Sequence, residues 1–256
     1  MVLAASPAAV LAEAVAVPGD LVGFLLSALL IAVCFLLASL RAGFSSEIGT
    51  PSGSRSELST RSEAARKIIH IGVSNWFFIY YYCFQTTVWP IVGLVAFAII
   101  NFILTLTGAF SAVIGKESVK RSWGVVYYPL SIIVLILFVK WGLGTKVDLG
   151  CALLGMGYGD GLAALIGQKF GKTKLTKSSK KTLLGSVTLL LVVAVIVFVL
   201  KLWLGFGGSF GGCTWWALAL CSLGIGLAAS IAEAVTPLGL DNVSVPIVVF
   251  LLAGLI

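Results

Sequence analysis

The stretch 155-GMGYGDGLAALIGQKFGKTKLTKSSKKTLLGS-186 sets one carboxylate, Asp160, in an apolar, glycine-rich run that ends among six lysines between 169 and 181. A second hydrophobic run starts at Leu183. On a helix, Asp160, Ala163, Ala164, Gly167 and Gly171 share one face at steps of three and four. That face carries almost no side chain, so another backbone or a ligand can lie against it. Helix packing explains the small residues, and a cytoplasmic topology signal explains the lysines. Neither explains Asp160, because a carboxylate near mid-bilayer costs about 2.5–3.5 kcal/mol on insertion scales. An anion-and-metal site at the mouth of a membrane helix accounts for all three features.

Composition points to the same class. The 256 residues are 59% hydrophobic and 11% charged, with a mean hydropathy of +1.11. These values exclude an ordinary soluble domain and fit an all-α, polytopic transmembrane helix bundle. The net charge of +7 does not signal nucleic acid, since the cations sit in short loops between apolar runs. The five cysteines are scattered singly through apolar segments, without a C-x-x-C pair, and read as reduced packing residues. A single histidine excludes a multi-histidine metal centre.

The run GDGLAALIGQKFGK followed by KKTLLGS resembles the signature of the CTP-dependent lipid-alcohol kinases, namely dolichol kinase, phytol kinase and the CTP-using diacylglycerol kinases. It is also similar to phosphatidate cytidylyltransferase, whose Asp-x-x-Ala-x-x-x-Gly-x-x-x-Gly and Lys-Thr-x-x-Gly elements match Asp160, Ala163, Gly167, Gly171, Lys181, Thr182 and Gly185. The cytidylyltransferases usually carry an acidic residue before that last glycine, where this chain has Leu184. The kinase branch is therefore favoured. Three further elements resemble the lipid kinases: Arg66-Lys67-x-x-His70, the run Arg121 to Pro129 with Gly124, Tyr127 and Tyr128, and Glu233-x-x-x-Pro237-x-x-x-Asp241-Asn242.

Read in order, the chain suggests about eight helices. Residues 1–20 form an extracytoplasmic segment without Lys or Arg, so no signal peptide is expected there. Residues 21–256 form one transmembrane catalytic domain. Its first helix spans Leu21–Leu40, a cytoplasmic linker covers 41–66, and a second helix opens at Arg66. Trp89–Ala112 is the third, with Asn101, Thr105, Gly108 and Ala112 on one face assigned to packing. The fourth begins at Trp123 and is kinked by Pro129; its tyrosines are either interface anchors or part of a lipid-tail lining. Val147–Phe170, Leu183–Leu204, Thr214–Ala234 and Val243–Ile256 complete the set, with a lysine-rich loop over 169–182. Ser178 or Ser179 is expected to cap the sixth helix.

With the N-terminus outside, 14 of the 17 Lys and Arg residues fall in inner loops, as the positive-inside rule requires. All four family-like elements then face the cytoplasm, where nucleoside triphosphates are. Phosphoryl transfer needs carboxylates for a divalent metal, cations for phosphates and a groove for the acceptor. Asp160, Asp241 and Glu233 are the metal candidates, suited to Mg²⁺. Arg66, Lys67, Lys172, Lys180 and Lys181 are the phosphate candidates, with Thr182, Gly167, Gly171 and Gly185 beside them. Asp160, Lys67 and His70 are the catalytic set. Asp160 meets Asp241 only if its helix is short, kinked at Gly157–Gly161, or opens onto a wet cavity. Removing its charge by Asp160→Asn is expected to leave the fold intact or slightly more stable.

The resemblance implies transfer of the γ-phosphoryl group of CTP to a polyprenol, dolichol, phytol or diacylglycerol hydroxyl, giving lipid monophosphate and CDP. The partners are nucleotide, lipid alcohol and membrane lipids, without nucleic acid; no oligomeric state is specified. A cytidylyltransferase acting on a lipid phosphate and a small ion-coupled transporter are the alternatives.

Overall fold

The computed structural model describes residues 18–47, 67–108, 123–175, 181–205, 214–236 and 239–256. The described residues are helical throughout, joined by short turns, with one isolated backbone bridge and no strand. In chain order the helices are α1 (Pro18–Glu47), α2 (67–74), α3 (Trp76–Cys83), α4 (Val88–Thr107), α5 (Gly124–Lys140), α6 (Lys146–Phe170), α7 (Leu183–Leu200), α8 (Trp215–Val235) and α9 (Asp241–Ala253). Five of them are long and apolar enough to cross a membrane, and their outward faces expose large aliphatic side chains such as Leu25, Ile99, Val195 and Leu220. The chain is a multi-pass membrane protein.

The helix α6 runs through the centre, and its sequence shows why. Its glycines fall on several sides, so neighbours approach from each. A Cβ at Gly161 would lie 2.5 Å from Ile71, and one at Gly157 would collide with Ser74, so α2 seats directly on the α6 backbone. On another side Gly155 and Gly159 receive Val193 and Leu189 of α7. Without a hydrophobic drive between helices in lipid, this close packing is what holds them together. The core built around it includes Phe77, Leu135, Leu149, Leu153, Met156 and Phe250.

The N-terminal end of α6 is a tied polar cap. Thr145 and Asp148 form a capping box, in which the Thr145 amide donates to Asp148 Oδ2 at 2.7 Å. Lys201, which falls near the outer end of the expected Leu183–Leu204 helix, is buried and pairs with Asp148 at 2.7 Å. It sits in a π-turn, Lys201–Gly205, that ends α7 earlier than expected. Asp20 accepts the Gln85 and Thr86 amides at 3.0 and 3.3 Å, joining the start of α1 to the α3–α4 turn.

Several boundaries differ from expectation for visible reasons. The first helix continues past Leu40 to Glu47, since the residues after Arg41 hold no proline before Pro51. The α4 helix stops at Thr107 because Gly108 takes a left-handed conformation (φ 71°); it is a cap and not part of a packing face. The cap of α7 is Thr182, whose Oγ1 accepts from the Gly185 amide at 3.1 Å, in place of the expected serines. Ser178 and Ser179 lie outside the described residues. Pro129 is buried inside α5, which runs on to Lys140.

Candidate active site

A cavity of about 630 Å³ opens where the starts of α2, α5, α7 and α9 meet the middle of α6 and the end of α8. Its lining draws on all four elements that the sequence singled out: Lys67 and His70; Gly124 and Tyr128; Asp160 and Gly167 with Lys181, Thr182 and Gly185; and Glu233, Asp241 and Asn242. Segments more than 170 residues apart in sequence thus supply one surface.

The charges in this cavity are paired. Lys67 donates to Asp160 across the α2–α6 contact, with side chains 13% and 16% exposed. Lys181 lies 2.7 Å from Glu233 Oε1 and 3.5 Å from Asp241 Oδ2, and also donates to the Glu233 backbone carbonyl. Two lysines therefore face three carboxylates, which leaves one negative charge in excess when His70 is neutral. The α6 helix is continuous from Lys146 to Phe170, so it is not broken at Gly157–Gly161. Asp160 reaches the other carboxylates' cavity because the cavity extends down to its depth.

Local packing explains how these groups are held. The Thr182 side chain sits over the glycines of α6: a Cβ at Gly167 or Gly171 would come within 2.6 Å of its Oγ1. A Cβ at Gly185 would lie 3.0 Å from the Ala163 carbonyl. The α6–α7 approach, which carries Lys181 to Glu233, depends on these three small residues. Gly167 and Gly185 also line the cavity, whereas Gly171 does not. On the other side, Asn242 donates to the Gly239 carbonyl at 3.2 Å, and its Nδ2 would be 2.5 Å from a Cβ at Gly124. The third and fourth elements lock together through that contact. Thr236 and Ser244 hydroxyls, 2.9 Å apart, tie the two ends of the α8–α9 turn.

The remaining phosphate candidates separate. Lys172 is exposed and does not line the cavity. Arg66 and Lys180 lie outside the described residues. The lysine-rich loop is closed at its base by two backbone bonds, from the Leu175 amide to the Lys181 carbonyl (3.0 Å) and from the Leu183 amide to the Thr173 carbonyl (2.9 Å).

The lining also includes the apolar side chains Phe35, Ile69, Val73, Phe97 and Val125, and the neutral polar residues Asn101 and Tyr128. Asn101 escaped the sequence reading, which assigned it to helix packing, whereas Tyr128 was named there but left between two roles. The only signal for Asn101 was an amide inside a 20-residue apolar helix. His70 packs against Tyr128, with ring centroids 4.5 Å apart.

Among the described residues no ready-made group of three metal ligands is present. Mg²⁺ does not need one, because it binds through one or two carboxylates plus phosphate oxygens and keeps several waters. The three carboxylates and the excess negative charge of the lining suit that mode of binding.

The chain is similar to a phytol kinase of Synechocystis sp., 30% identical over 189 residues that cover 73% of this chain and 76% of that one. It is also 30% identical over 137 residues to a probable chloroplastic phytol kinase 1 of Oryza sativa subsp. japonica, covering 52% of this chain and 42% of that one. No family model matches the chain, and no solved structure does.

Proposed function

Because the chain belongs to the phytol kinase family, we propose that it moves the γ-phosphoryl group of CTP to the hydroxyl of a phytol-like lipid alcohol. The products are the lipid monophosphate and CDP. The observation that carries this reading is that one cavity is lined both by charged side chains, Lys67, Asp160, Lys181, Glu233 and Asp241, and by apolar ones such as Phe35, Val73 and Phe97. A triphosphate and a hydrocarbon alcohol need such adjoining surroundings, and phosphoryl transfer between them is largely a matter of positioning and electrostatics.

In this reading the acceptor oxygen bonds to the γ-phosphorus as the bridging bond to the β-phosphate breaks, CDP carries away that electron pair, and the hydroxyl's proton passes to neutral His70, which lines the same cavity. Lys67 and Lys181 turn from their carboxylates to the phosphates, where point charges on flexible stems suit the task. Asp160 and Asp241, with Glu233 beside them, are the residues that would hold Mg²⁺. When bound, the metal would offset charge on the phosphate oxygens. Thr182 holds the α7 N-terminus against α6, aiming that helix end at the anion. The preference for CTP follows from the family resemblance, and the cytoplasmic placement of the site follows from the distribution of basic residues.

Purified protein supplied with phytol and, separately, CTP, ATP, GTP and UTP tests this. Phytyl phosphate with CDP is the expected product pair. Pyrophosphate release would mean cytidylyl transfer, and equal use of ATP would overturn the donor assignment.

A further inference from the structure

Tyr128 and Asn101 are among the polar side chains of the cavity lining that have no task in the charge pairing described above. Tyr128 is 4% exposed, lines the cavity, and its hydroxyl has no hydrogen-bond partner among the described residues. Asn101 is 2% exposed and lines the same cavity. Its backbone carbonyl accepts from Thr105 Oγ1 at 2.7 Å, but no hydrogen bond among the described residues uses its side-chain amide. Buried polar groups are almost always satisfied, so an orphan pair facing one space calls for a ligand.

The chemistry of that ligand can be read from the surroundings. Phosphate would be drawn to Lys67 and Lys181, where the positive charge is. Tyr128 and Asn101 are neutral, and the lining they belong to also holds Phe35, Ile69, Val73 and Phe97. A neutral group that both donates and accepts, carried on an apolar body, fits there. Resting on the kinase reading, we infer that Tyr128 and Asn101 hold the hydroxyl of the lipid alcohol, and so select an alcohol over its hydrocarbon. The Tyr128 hydroxyl donates to the acceptor oxygen, leaving a lone pair for the phosphorus, and the Asn101 side-chain oxygen accepts a hydrogen bond from the alcohol until its proton leaves as the bond to phosphorus forms. His70, packed at a tilt against the Tyr128 ring, limits its direction. A site built to bond a hydroxyl rejects the analogue lacking it far more strongly than an apolar groove discriminates chain length.

The test is Tyr128→Phe and Asn101→Leu in the full-length protein, with KM for phytol and for CTP measured separately. Each variant should raise KM for phytol, or lower kcat, about threefold to tenfold, the range for one neutral hydrogen bond. KM for CTP should stay within about twofold by the same reasoning. Tyr128→Phe should melt at or above the wild-type temperature, since the hydroxyl it removes has no partner among the described residues. Binding of phytol and of phytane, followed by tryptophan fluorescence without nucleotide, gives an independent arm. The wild type should prefer phytol, and the variants should lose that preference. Unchanged phytol kinetics, or a lower melting temperature with the phytol preference intact, would overturn the inference. A wild type that phosphorylates no lipid alcohol would overturn the kinase reading alone, because the phytol-to-phytane comparison would still decide this one.

Discussion

Replacing Asp160 by Asn keeps the shape of the side chain and removes its charge, so the response of the fold isolates what that charge does for Lys67. The two are paired across α2 and α6 with 13% and 16% of their side chains exposed. Breaking a buried pair from one side costs about 3–5 kcal/mol, because the surviving charge keeps its desolvation without its partner. Partial exposure and the remaining amide acceptor reduce this to about 2–3 kcal/mol. At about 2–4 °C per kcal/mol for a chain of this size, the melting temperature should fall by about 4–12 °C. The sign is opposite to the expectation from sequence, where Asp160 had no visible partner. Lys67→Met should destabilise in the same direction, and the double variant should recover most of the loss, since it leaves no lone charge. Buried Cys34 and Cys151 suit a thiol-reactive fluorescent dye for following unfolding in detergent. All three variants should be inactive. An Asp160→Asn protein that melts with the wild type, or a double variant whose loss equals the sum of the singles, would refute the pairing argument. Substantial Mg²⁺-dependent turnover in Asp160→Asn would remove it from the catalytic set.

Gly167→Ala should destabilise by about 1–3 kcal/mol and lower turnover, because its methyl would meet Thr182 Oγ1 at 2.6 Å and Gly185 Cα at 3.3 Å. Gly224→Ala, facing open space on α8, should melt at or slightly above the wild type in the same assay. Lys181→Ala should raise KM for CTP or abolish activity, whereas Lys172→Ala, outside the cavity, should leave KM for CTP nearly unchanged; equal effects would return both to a general electrostatic role. A cysteine at Thr176, with the native cysteines replaced, should react with a membrane-impermeant reagent only from the cytoplasmic side, and labelling from outside intact cells would invert the proposed topology.

Asp160, Lys67, His70, Lys181, Glu233 and Asp241 were legible in the sequence because charge inside or beside an apolar run stands out against its surroundings. What was hidden is how they meet. Periodicity assigned Asn101 to a face of α4 correctly, but a period cannot say whether that face meets a helix or a void. The glycines 167, 171 and 185 read equally well as a phosphate cradle and as a seam; only the position of Thr182 shows how much of their smallness serves packing. Lys201 looked like a cation at the outer end of its helix, but the π-turn brings it onto Asp148, a bend that no residue pattern announces. Gly108 was counted along a helical stripe, although a glycine at the end of such a stripe is also the usual terminator.

The two backbone bonds that close the base of the lysine-rich loop make Thr173–Leu183 a clamp whose geometry is set by its ends. Whatever chain length lies between Leu175 and Lys181, the register of α6 against α7 is decided below it. Residues 176–180 can therefore be exchanged for a rigid soluble protein without changing the spacing that brings Lys181 to Glu233. Joined through both ends of the clamp, such a graft would inherit the orientation of two membrane helices, giving a particle of this small protein the asymmetric mass that image alignment by electron microscopy requires.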